Sequence, residues 1–161
     1  METHTTSEMN MEKMHYKKFL VMILLSFVAM YILMYSMVDI FDNVIPNINQ
    51  IYMAGLMTAP MIIIEIILMG SMYKNKKLNY AILAFGMVLL VGCFLLIRNQ
   101  TTVSDKQFLK SMIPHHGAAI LMVREANIID PEIKKLAENI ILSQQKEIDF
   151  MKAKLKEIED R

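Results

Sequence analysis

Apolar residues fill three stretches of the chain, 19–38, 51–72 and 78–97, and each is near the roughly 20 residues that a helix needs to cross the hydrocarbon core of a bilayer. Only Glu65 places a charge inside them. The first stretch is longer than a signal peptide's apolar core and lacks a small-residue cleavage site, so it predicts a retained anchor. Beyond residue 98 the pattern changes from continuous to periodic. Apolar or weakly polar side chains recur as Phe108, Met112, His115, Ala119, Met122 and Ala126, then as Ile133, Ala137, Ile140, Gln144, Ile148, Met151, Leu155 and Ile158. Steps of three and four describe two amphipathic helices packed along a common seam.

Local signals mark the ends of these helices. Ser104 and Gln107 have the spacing of a capping box, and Asp130 before Pro131 is a good N-cap and first-turn pair. The short connection between the helices makes them antiparallel neighbours. Pro114 is a local contradiction, because inside a helix it removes a hydrogen bond and crowds the preceding turn. The predicted fold class is all-α. A tail over 1–18 leads into three transmembrane helices over 19–98, followed by an extracytoplasmic antiparallel helical hairpin over 99–161. Two such helices cannot bury both of their own apolar stripes, so at least a dimer is expected, with two hairpins forming a four-helix bundle.

Charge sets the expected topology. Lys13, Lys17 and Lys18 precede the first apolar stretch and Lys74, Lys76 and Lys77 follow the second, whereas 39–50 has no lysine or arginine. The positive-inside rule then puts the N-terminus in the cytoplasm of a multi-pass protein of the cytoplasmic (inner) membrane, with residues 99–161 in a periplasm or cell exterior. A net charge of +1 without a concentrated basic stripe gives no reason to expect a nucleic-acid partner. The lysines and acids interleaved after residue 131 describe a solvated helix face. The single cysteine, Cys93, falls in the third apolar stretch, which excludes an intrachain disulfide.

Candidate chemistry comes from methionine and histidine. Met112, His115, His116, Ala119 and Met122 fall within about a third of a helix circumference, and the fold-back of the chain brings Gln144, Glu147 and Met151 opposite them. Thioether sulfur is a soft donor that suits Cu(I), imidazole suits copper in either oxidation state, and a thioether needs no deprotonation to bind. The candidate ligands are therefore Met112, His115, His116, Met122 and Met151. Glu147 is either a ligand or a partner for an imidazole N–H, and Gln144 stands behind them. Adjacent helical residues diverge by about 100°, so His115 and His116 can serve different sites. The competing interpretation is a hydrogen-bonded core histidine among methionines that merely fill space. Di-iron chemistry is not expected, because Glu125 and Glu147 lack the Glu-x-x-His partner. No nucleophile–base constellation or phosphate-binding glycine loop is present, and no enzyme is expected.

The same residues carry a resemblance. Met112 with His115 and His116, Ala119 with Met122, and Gln144 with Glu147, Ile148 and Met151 reproduce the M-x-x-H-H, A-x-x-M and Q-x-x-E-I-x-x-M signatures of the family catalogued as domain of unknown function 305 (DUF305). Residues 105–155 resemble that family, about a third of the chain. The resemblance implies a ferritin-like helical fold and copper binding outside the cytoplasm, in copper tolerance. The expected function is a membrane-anchored copper-binding protein that sequesters or hands over copper. A non-metal adaptor that oligomerises through its hairpin is the main alternative.

A further alternative, a small ion-transport assembly, rests on Glu65. A carboxylate at mid-bilayer costs on the order of 2.5–3.5 kcal/mol and calls for protonation or a partner in another span or subunit. The 17 methionines include Met53, Met57, Met61 and Met69 at intervals of four or eight around Glu65, either a thioether track or a packing surface. The tail adds His4, Met9, Met11, Met14 and His15, soft donors of the kind that flexible tails often collect without purpose.

Overall fold

A computed structural model describes residues 2–160, with side chains from residue 11 onward except residue 12. Among these residues the chain is all-helical, with five α-helices and no strand. They are α1 (Glu2–Leu33), α2 (Ile48–Met69), α3 (Lys76–Arg98), α4 (Asp105–Glu125) and α5 (Pro131–Glu159). Short 3-10 turns at Met34–Met37 and Phe41–Asn43 connect α1 to α2. Three segments are long and apolar enough to cross a membrane, Lys13–Met37, Ile48–Met69 and Lys76–Arg98. Residues 2–18 of the predicted tail are part of α1. His4 and Met9 lie outside the described side chains, and Met11 and Met14 are exposed.

The chain forms two compact units. The first contains residues up to 32 and 51–99. Its buried cluster is small, Phe19, Ile62, Ile66 and Tyr73, with Tyr16, Met22, Ile23, Ile82 and Leu89 packed around it. α2 and α3 approach closely where side chains are missing or short. A Cβ on Gly55 would stand 2.8 Å from Cys93 Sγ, and one on Gly86 would stand 2.9 Å from Ile63 Cγ1. Small residues commonly serve this purpose between helices that lack a hydrophobic driving force. Leu24, Leu25, Ile64, Leu68, Phe85 and Val88 point outward, as a lipid-facing surface requires. Met53, Met57 and Met69 belong to that outward surface rather than to an interior track.

Glu65 lies one turn from the end of α2, not at the middle of the span, and it accepts a hydrogen bond from the Tyr73 hydroxyl at 3.3 Å. Burial, and then the neighbouring Glu65 carboxylate, raise the Tyr73 hydroxyl above its ordinary value and keep it a donor. Tyr73 also packs on the Tyr16 and Phe19 rings, with centroids 5.1 and 5.7 Å away. Asn79 completes the network, accepting from the Tyr16 hydroxyl at 2.8 Å and donating to the Tyr73 carbonyl at 2.8 Å. The partner that Glu65 needs is thus supplied within its own chain.

The second unit contains residues 33–50 and those from 100 onward. Leu109, Ile113, Ile120, Ile148, Met151 and Leu155 form its core, with Ile45, Met112 and Ile158 against it. The α5 seam is essentially the predicted one, with Ala137, Ile148, Met151 and Leu155 buried, although Ile133 is exposed. The α4 seam is rotated by one residue. Leu109, Ile113, His116 and Ile120 point inward, while Phe108, His115 and Met122 lie outside. Residues 33–50 are the cause, because they cover a flank of α4 that the sequence pattern assigned to solvent. Ile45 joins the core, Gln107 Oε1 accepts from the Ile48 amide at 3.1 Å, and Ser111 Oγ meets Asn49 Nδ2 at 3.2 Å.

That arrangement also corrects the capping box. α4 starts after Ser104 as predicted, but Ser104 makes no side-chain cap and Gln107 is engaged elsewhere. At α5 the predicted cap forms, with Asp130 Oδ1 accepting from the amides of Glu132 at 2.8 Å and Ile133 at 3.1 Å. Pro114 is accommodated, buried, inside a continuous α4.

Candidate metal centre

His116 is the centre of the α4–α5 interface. Its Nδ1 lies 2.9 Å from the carbonyl oxygen of Met112, one turn back on the same helix. A carbonyl only accepts, so Nδ1 carries the proton. The other ring nitrogen, Nε2, lies 2.6 Å from Glu147 Oε2 on α5. Histidines that bind metal are commonly oriented in this way, with one N–H held by a backbone carbonyl and the other nitrogen presented outward. With Nδ1 held by the Met112 carbonyl, Nε2 is the ring nitrogen left to take a metal. The ring is buried, whereas the Glu147 side chain is 56 % exposed and has room to move.

The other candidates fall around this pair in a defined order. Met112 is half-buried against the core, and Met151 lies within it. The His116–Glu147 contact sets the register of the two helices. Met112 is one turn before His116 and Met151 one turn after Glu147, so the two thioethers occupy one rung of the helix pair and the imidazole and carboxylate the next. Gln144, one turn before Glu147, has a buried Oε1 with no hydrogen-bond partner. An orphaned buried amide oxygen is costly and is available to a ligand.

His115 and Met122 are not part of this interior group. Both are exposed on the outer flank of α4 beside Phe108, and the His115 ring centroid is 6.1 Å from that of His116, edge to face. The divergence of the two imidazoles follows from the helical turn between adjacent residues. Among the described residues no three His, Cys, Asp or Glu side chains gather closely enough to hold an ion. The donor set around His116 fits a soft cation only if thioethers take part.

On its other side α4 is held by a feature that the sequence reading missed. Gly117 packs against the 38–43 turn so tightly that a Cβ there would stand 2.6 Å from Asp39 Oδ1 and 3.3 Å from Asn43 Nδ2. The Asp39 side chain is only 2 % exposed, accepts from Asn43 Nδ2 at 2.7 Å and lies 3.8 Å from Arg124 NH1. These contacts fix the segment of α4 that carries His116. An isolated glycine inside a helix was the available signal, since it often marks close backbone approach.

The fold and site together define an all-α protein with three helices long enough to span a membrane and a helix pair joined by a buried histidine and an exposed glutamate. The sequence model for a domain of unknown function (DUF305) matches residues 95–157. The mimiviral "Uncharacterized protein L153" of Acanthamoeba polyphaga mimivirus is 39 % identical over 144 residues, covering 86 % of this chain and 91 % of the relative. The likeness therefore extends beyond the family domain into the apolar helices. No solved structure matches the chain significantly. The chain belongs to the DUF305 family.

Proposed function

We propose that the protein is a membrane-anchored copper-binding protein that sequesters or hands over copper, chiefly as Cu(I), at the outer face of a cytoplasmic membrane. In this reading α4 and α5 are an extracytoplasmic antiparallel hairpin. A second copy pairs with the flank of Phe108, His115 and Met122 to complete a four-helix bundle. The observation that carries the proposal is the pre-oriented His116, with Nδ1 tied to a backbone carbonyl and Nε2 directed at a displaceable carboxylate beside two thioethers. Sulfur and imidazole together favour Cu(I) over harder ions.

The test is titration of the full-length protein in detergent with Cu(I) against a competing chelator, with Zn²⁺ as the control. Copper-selective binding is expected, most of it abolished by combining His115→Ala with His116→Ala. Affinity falls on acidification because protons compete for Nε2. Unchanged affinity and stoichiometry in the double variant would refute the site. The adaptor reading has one observation in its favour, since the His116–Glu147 pair is already a complete strut between α4 and α5. Under that reading the same variants lower thermal stability and there is no copper affinity to lose.

A further inference from the structure

Where α2 ends and α3 begins, the first unit holds a groove of about 350 Å³ with a mixed lining. Ile66, Ile67 and Leu83 are apolar, while Ser71, Lys76 and Tyr80, each nearer the α2–α3 turn along its part of the chain, are polar. Each of these three polar groups can donate a hydrogen bond, Lys76 is a cation, and among the described residues no carboxylate lines the groove. Between Glu65 and Asp105 there is no acidic residue, yet Lys74, Lys76 and Lys77 fall together. Glu65 is engaged by Tyr73, and the Asn79 amide in the groove wall is used at both ends within the protein. Tyr80 is 71 % exposed at the start of an apolar helix, a position where tyrosine rings commonly sit at headgroup level.

We propose that this groove binds one anionic glycerophospholipid. Its phosphate lies against Ser71, Lys76 and Tyr80, and the beginning of an acyl chain lies along Ile66, Ile67 and Leu83. A cation with neutral donors beside apolar residues complements an amphiphile with a negative head, and basic pockets between membrane helices are a recurrent form of lipid recognition. A soluble anion would leave the apolar residues uncovered. The inference rests on α2 and α3 crossing a membrane and is independent of any metal bound near His116.

The experiment uses the full-length protein in a neutral detergent, with native mass spectrometry counting the lipid retained after titration with phosphatidylglycerol or phosphatidylcholine. The expected result is one phosphatidylglycerol per chain, retained at least about fivefold better than phosphatidylcholine. Lys76→Gln and Leu83→Trp should each remove that preference, the first by removing the charge and the second by filling the apolar part. Lys13→Gln, a lysine that does not line the groove, should leave it unchanged. Equal retention of the two lipids overturns the proposal. So does loss in Lys76→Gln with full retention in Leu83→Trp, which would reduce the effect to surface charge. Displacement of the lipid by inorganic phosphate would assign the groove to a free anion and overturn the lipid as its occupant.

Discussion

In the first unit Leu68 and Val88 project outward while Thr58, Tyr73 and Asn79 are buried; in the second Ile113, Ile120 and Ile148 are wholly buried and the lysines and acids of α5 face out. Both units are built from helices of similar length, and the difference is the one expected between a surface suited to lipid and one suited to water. Lipid tails would offer no reward for burying leucine, and the three apolar helices pack in part through glycine, cysteine and alanine, with Thr58 and Asn79 inside. Water rewards burial of isoleucine, and the second unit has an apolar core between α4 and α5, with His116 as its buried polar side chain on α4 and Asn43 and Asn47 buried in the 33–50 segment.

The contrast breaks most visibly under truncation. Ile113→Ala should destabilise the second unit by about 2–5 kcal/mol, read as lost amide protection across α4 and α5. Val88→Ala, at a position 71 % exposed, should change the melting of the detergent-solubilised protein by less than about 0.5 kcal/mol. Comparable losses from the two would erase the distinction. Gly117→Ala is next in size, about 1–3 kcal/mol, because its Cβ meets Asp39 Oδ1. Asp39→Ala in the same chain should recover part of that loss, and an additive double variant would show that the 38–43 turn is not what Gly117 accommodates.

The smallest effect concerns Glu159, which meets Lys106 at 3.0 Å and Lys110 at 3.1 Å. Hydrogen bonds from Lys106 and then Lys110 hold its carboxyl below the usual range. The folded unit therefore binds fewer protons there than the unfolded chain. The contribution is complete above the ordinary carboxylate range and is lost as pH falls through the lowered folded value. Glu159→Gln should flatten that part of the stability–pH curve, and an unaltered curve would show the exposed bridges to be inconsequential.

Much of this organisation was legible in the residues. The three apolar stretches read directly as helices because a spanning segment has a length requirement and almost no polar tolerance. Asp130 with Pro131 gave the start of α5 through local chemistry alone. The α5 seam was visible for a similar reason, since that helix has one buried side and a largely charged remainder. α4 misled because it has two covered sides. The spacing put His115 in the seam, whereas His116 is the buried one, and the shift goes with residues 33–50, more than 60 positions away in the chain. Periodicity does not report a neighbour of that kind. Glu65 shows the same limit, since its position near the end of α2 and its tyrosine partner depend on where the turn to α3 falls.

The contact between Asp39 and Gly117 also has a meaning in time. About 80 residues separate the two, so at roughly 5–20 residues per second the ribosome delivers α4 on the order of 4–16 s after the turn that will cover it. During that interval Asp39 and Asn43 have no helix to pack against and remain hydrated. α2 and α3 must both be made before their partner exists. The second unit is therefore finished after the first although one of its pieces is made early, and the buried side of His116 closes only once α5 has followed α4.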